Sequence, residues 1–152
     1  MDETEYRQTY REVNKRKCVF EKAINARRCT CSQAKRFNLA DREGVACDSD
    51  DANERCTTLL IMMRQKASFA LQMTNVPGPL PHAKEVKVQI GGMLGIQSIL
   101  YPEKQDLEQV EDIDKLIDET INMFNSLELF PYTEIVKSVV KFQGRQRSMR
   151  KK

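Results

Sequence analysis

Five cysteines, Cys18, Cys29, Cys31, Cys47 and Cys56, fall in the first half of the chain, and the second half has none. Thiols with no shared task would scatter along 152 residues, so five gathered in one charged stretch point to a common metal or redox centre. Read as C-x-C-x15-C-x8-C, Cys29, Cys31, Cys47 and Cys56 supply four thiolates. That donor set suits an iron–sulfur cluster or tetrahedral zinc, and the softness of sulfur excludes magnesium and calcium. The spacing is looser than the C-x2-C pairs of compact zinc sites, which favours an iron–sulfur cluster, with zinc as the alternative. Arg27, Arg28, Lys35 and Arg36 stand among these cysteines, where they would lower thiol pKa values and stabilise an anionic centre.

Cys18 is a fifth candidate. On one continuous helix at 1.5 Å per residue it would lie roughly 16 Å from Cys29, too far to share one ion, so only a break in that helix brings it into the set. Other chemistry finds little to stand on. The single histidine, His82, follows a proline-rich stretch and reads as a surface or capping residue, and nothing pairs it with a thiol as nucleophile and base. The glycines in G-G-x-x-G, at 91, 92 and 95, match neither the P-loop nor the dinucleotide fingerprint. No catalytic signature accompanies the cysteines, so whether the protein is an enzyme stays open, with a non-enzyme the favoured reading.

The elements that must carry these residues are helical nearly throughout. Tyr6, Tyr10, Val13, Phe20 and Ile24 recur at helical spacings and predict an amphipathic helix from about Glu3 to Arg28. Asp51 with Glu54 resembles a capping box, and Cys56, Leu60, Met63, Ala67 and Ala70 form the stripe of a second long helix running to Met73. Between them, Ser32 to Ala46 is expected to fold back as a short helix, bringing the cysteines together. Three prolines and a glycine in TNVPGPLP mark a linker at 74–81. The segment HAKEVKVQIGGMLGIQSIL is read as helix rather than strand, its glycines arguing for close approach by a neighbouring helix. Two more helices are expected at Val110–Phe124 and Tyr132–Phe142, with Pro131 at the first turn of the last.

The sum is a mainly α, single domain of about five helices spanning 1–142. It has a cysteine-bearing helix–loop–helix half at 1–73, a helical half at 82–142 and a basic tail at 143–152. Its composition, 40% hydrophobic and 31% charged, is that of an ordinary globular chain long enough to bury a core without help from metal. Charge is blocked along the chain. Ten bases face only Glu12 and Glu21 between Arg7 and Arg36, whereas eight acids face Lys104 and Lys115 between Glu103 and Glu119. No apolar run reaches the roughly 18 residues of a membrane span, and the charged start is unlike a signal peptide, so a reducing cytoplasm is the expected compartment. The function expected is electron transfer or redox sensing for a protein partner. A non-catalytic helical adaptor is the alternative, as is a nucleic-acid-binding accessory protein that grips phosphates through Arg145, Arg147, Arg150, Lys151 and Lys152.

Overall fold

A computed structural model describes residues 2–72 and 80–143. Among the described residues, six helices and one two-stranded hairpin make a mainly α domain, as composition and periodicity indicate. The order is α1 (Glu3–Val13), α2 (Glu21–Asn25), β1 (Ala34–Leu39), β2 (Arg42–Cys47), α3 (Asp50–Ser68), α4 (a continuous run of His82–Val86, a π-helical turn Lys87–Gly91 and Gly92–Leu100), α5 (Ile113–Phe124) and α6 (Tyr132–Lys141). Short 3-10 turns at Pro102–Lys104 and Leu127–Leu129 join the last three. Residues 74–79 of the linker expected at 74–81 and the tail beyond Gln143 lie outside the described residues.

The long first helix expected from Glu3 to Arg28 is two helices. Its apolar stripe serves two different elements: Phe20 and Ile24 enter the core, while Val13 is 56% exposed. The break falls at Asn14, whose buried side-chain amide donates to the Tyr10 hydroxyl and to the Val45 carbonyl, at 2.9 and 3.0 Å. Tyr10 in turn donates to Glu21, and Glu21 also accepts from the Val45 N–H at 2.7 Å. Chain 16–18 thereby runs extended along the hairpin, with Cys47 N–H to the Arg16 carbonyl at 2.8 Å and Cys18 N–H to the Val45 carbonyl at 3.0 Å.

The segment expected as a short helix from Ser32 to Ala46 is instead the antiparallel hairpin β1–β2, paired from Ala34↔Cys47 to Leu39↔Arg42. Its two-residue turn holds Ala40 at φ 56°, a conformation normally given to glycine or asparagine, so the usual turn signal is missing. Ser49, rather than Asp51, caps α3, accepting from the Ala52 N–H at 3.0 Å, and the helix ends at Ser68 rather than Met73.

The second half packs around α4. Its three glycines are where α3 and α6 press closest, as their spacing implied. A Cβ at Gly91 would lie 2.8 Å from the Val139 Cα, one at Gly95 would lie 2.7 Å from the Ser138 Cβ, and one at Gly92 would lie 2.6 Å from the Met63 Sδ. The positions of Gly91, Gly92 and Gly95 are therefore closely approached by the protein's own helices. A buried ion pair locks α3 to α4: Arg64 donates from Nε and Nη2 to both oxygens of Glu85, at 3.1 and 2.8 Å. Gln89 and the Leu80 N–H fill the remaining acceptor sites of that carboxylate. Burial works to raise the Glu85 pKa, but the bonds from Arg64, Gln89 and Leu80 outweigh it and hold the carboxyl below its ordinary value. Among the described residues no helix is long and apolar enough to cross a membrane.

Replacing Gly91 by alanine tests the close approach. Helix propensity alone would gain about 1 kcal/mol, whereas the collision is with backbone and cannot be relieved by a rotamer change. Urea unfolding of Gly91→Ala is expected to show a net loss of about 1–2 kcal/mol.

Candidate functional site

Four of the five cysteines meet. Cys18 sits in the extended stretch before α2, Cys31 in the turn leading to β1, Cys47 at the end of β2, and Cys56 in the second turn of α3. Together they line one cavity of about 10 Å³, close to the volume that holds a single water. Phe20, Ala52 and Ile113 complete its apolar wall, and Asp114 stands at its rim.

Each thiol is carried by tied-down backbone. Cys18 is fixed to the hairpin through Val45, and its carbonyl accepts from Glu21 N–H at 3.2 Å. Cys31 is positioned by a short ladder to the second half: Val110 N–H to the Arg28 carbonyl, Thr30 N–H to the Val110 carbonyl, and Ile113 N–H to the Thr30 carbonyl, each at 2.9 Å. Asp112, the cap of α5, also accepts from the Ser32 N–H at 3.0 Å. Cys47 is held by Arg16, which receives its N–H and donates Nη1 to its carbonyl at 3.0 Å. Cys56 rides on a helix of 19 residues.

Cys29 goes elsewhere. Residues two apart on a regular extended segment share a side, but the chain turns at Cys31, whose carbonyl accepts from the Ala34 N–H at 3.1 Å, and only Cys31 reaches the cavity while Cys29 is held in the core, 1% exposed beside Val110. The break in the first helix brings in Cys18, so the set on the cavity is C-x12-C-x15-C-x8-C. Among the described residues, no three His, Cys, Asp or Glu side chains stand at the mutual spacing that holds a metal ion. The four sulfurs line the cavity without closing on one point. His82 is far from them, its Nδ1 3.1 Å from the Lys22 Nζ.

The electrostatics are those of crowded, buried thiols. Burial pushes Cys18 up to about 12, with the Phe20 N–H opposing and the sulfurs of Cys31 and Cys47 reinforcing the shift. Burial likewise raises Cys31, against the N–H groups of Gln33 and Asp114, and raises Cys56, with the sulfurs of Cys18 and Cys31 adding to it and Arg55 opposing. Cys29 is pushed up to about 12 by burial. Four thiolates cannot coexist in this space without a cation to offset them.

The bases expected to supply that charge are engaged elsewhere: Arg27 and Arg36 pair with Glu43 at 2.9 and 3.2 Å, Arg28 with Glu108 at 3.5 Å, and Lys35 with Asp48 at 3.8 Å. Sequence reasoning missed Arg55 and Asp114, which pair at 2.6 Å beside the cavity, and it missed the backbone N–H donors of Phe20 and Gln33, which have no side-chain signature. The C-x-C spacing gave no signal that Cys29 and Cys31 part ways, since residues two apart on an extended run share a side.

Comparison with family models, with curated proteins and with solved structures finds no match for this chain.

Two outcomes follow. In metal-free protein, the raised thiols stay protonated when folded and ionise near 9 once unfolded, so the unfolded chain sheds more protons as pH rises. Stability present at neutral pH is therefore lost from about pH 9 upward, toward about 12, and the urea midpoint is expected to fall between about pH 7.5 and 9.5. Cys29→Ser places a hydroxyl in an apolar core and is expected to lower stability by about 1–3 kcal/mol while leaving the occupancy of the cysteine cavity unchanged, checked by unfolding and elemental analysis.

Proposed function

We propose that this protein binds an iron–sulfur cluster through Cys18, Cys31, Cys47 and Cys56 and serves in electron transfer or redox sensing for a protein partner, in a reducing cytoplasm that keeps the thiols free. The observation that carries the reading is the convergence of four thiols, from four separate segments, on one enclosed apolar-walled cavity. A buried free cysteine ordinarily behaves as a small hydrophobe, and Cys29 does so here. Core filling does not account for four sulfurs from four segments set around a common void.

Donor chemistry selects the group. Four soft ligands with no carboxylate or imidazole among them suit iron–sulfur or zinc. A single tetrahedral zinc needs its sulfurs about 3.8 Å apart, given bonds of about 2.3 Å, whereas a cluster core accepts thiolates set more widely. The loose sequence spacing of the four cysteines favours the cluster. A mononuclear zinc centre is the second reading, favoured by the cavity's size, which suits one small sphere. When bound, a cluster supplies one-electron redox capacity. The chain's own residues provide thiolates, N–H groups directed at two of them, and walls that exclude water.

The test is elemental analysis with an optical spectrum on protein purified without air. Stoichiometric iron with broad absorption near roughly 400 nm is the expected result. Stoichiometric zinc without colour would favour the second reading, and the absence of either metal after anaerobic reconstitution would overturn both.

A further inference from the structure

A second cavity, of about 690 Å³, opens between α4, α6 and the loop at 105–108, and it shares no lining residue with the cysteine cavity. We propose that it is a peptide-binding groove for the C-terminal end of a protein partner: it takes the free carboxylate, an apolar side chain beside it and a basic side chain a few residues upstream. Its volume lies in the range of about 300–1,000 Å³ usual for ligand sites. The walls are preformed. Close approach of Gly95 to Ser138 sets α4 against α6. The facing loop is tied by the Leu107 N–H to the Lys104 carbonyl and by Gln97 Nε2 to the Gln109 carbonyl, each at 3.0 Å. Even so, the loop holds Leu107 54% exposed, and with half-buried Leu94 and Ile99 it gives the groove an apolar strip.

Charge selects the occupant. Arg28, Lys141 and Phe142 line one end. The Arg28 guanidinium lies 5.0 Å from the Phe142 ring centroid and its Nε donates to the Glu108 carbonyl at 2.8 Å, which fixes it in place while Nη1 has no hydrogen bond among the described residues. With its side chain only 19% exposed it is a partly desolvated cation, and its planar fork suits a carboxylate. The Glu108 carboxylate now facing it is 3.5 Å away and 80% exposed, a pair worth little. Lys141 makes no ion pair among the described residues, and the Val140 and Phe142 carbonyls at the end of α6 are already taken by Lys87 Nζ. Toward the other end the sign reverses. Glu134 precedes Lys141 by seven residues, about 10 Å along α6 at 1.5 Å per residue. Its pair with Lys137 is exposed on both sides and therefore weak. Asp106, on the facing loop, has no ion pair among the described residues. Three or four peptide residues, extended at about 3.3 Å each, span that distance from an anion subsite across an apolar strip to a cation subsite.

The experiment titrates the full chain with the acetylated tetrapeptide Lys-Ala-Ala-Leu, its C-terminal carboxylate free, and follows amide chemical shifts. The shifts are expected at residues 94–99, 105–108 and 134–142. Amidation of the peptide C-terminus, or Lys141→Glu, should weaken binding about tenfold, the effect of one charge-assisted hydrogen bond. Asp106→Asn should weaken it about threefold, the size of an exposed ion pair, and should leave the affinity of acetylated Ala-Ala-Ala-Leu unchanged. Glu108→Gln removes the competing carboxylate and should tighten binding about threefold. Absence of shifts in the groove, or equal affinity for the carboxylate and the amide, would overturn the inference. So would inorganic phosphate binding as tightly as the peptide, which would make the positive end a plain anion site. A dimer in sedimentation equilibrium that Lys141→Glu dissolves would assign the groove to a second copy of this chain, and a synthetic peptide of residues 144–152 that binds where Lys-Ala-Ala-Leu does not would assign it to this chain's own tail; either would overturn the inference. None of these readings depends on what the cysteine cavity holds.

Discussion

The three backbone hydrogen bonds that join residues 28–30 to residues 110–113 are the constraint on which the rest of the arrangement depends. They hold Cys29 in the core beside Val110, and the turn that follows at Cys31 carries that thiol to the cavity. They also dock the cysteine-bearing half onto the start of α5, so that Ile113 closes the cavity wall and the Asp114 N–H reaches the Cys31 sulfur. Residues 16–18 do the same on the other side, adding an extended run to the hairpin and placing Cys18 and Cys47 on neighbouring backbone. The cavity is thus framed by non-local backbone pairing, with the α3 helix supplying the fourth wall through Cys56.

Within that frame the chemistry follows from crowding. Each sulfur makes ionisation of its neighbours harder, and burial makes it harder still, so the set has two low-energy states: all thiols protonated, or all thiolate around a cation. Binding then releases protons and links metal uptake to the folded state, because an unfolded chain has no preformed set of four. The buried Arg64–Glu85 pair and the glycine face of α4 take no part in this chemistry. They hold α3, and with it Cys56, against the second half of the domain.

Much of the second half was legible in the sequence because its signals are local. The glycines at 91, 92 and 95 announced a close helix approach, and Pro131 stood just ahead of α6. The first half was less legible. A helical stripe from Tyr6 to Ile24 was real as a pattern but belonged to two helices, because a non-local bond from Asn14 to Val45 stopped the first. The hairpin went unseen because Ala40 and Asp41 make its turn without the glycine that usually marks one. Clustering of the cysteines in sequence pointed to a shared site, yet the membership of Cys18 and the inward turn of Cys29 depend on pairing with residues 45 and 110, which spacing alone does not encode.

The most direct test of the central claim, that four cysteines form one all-thiolate centre, is X-ray absorption at the edge of whichever metal the purified protein carries. Four sulfur neighbours at about 2.3 Å with no nitrogen or oxygen shell is the result this account requires, with an added iron–iron shell for a cluster. A first shell containing nitrogen or oxygen in wild-type protein, or fewer than four sulfurs around the metal, would contradict it.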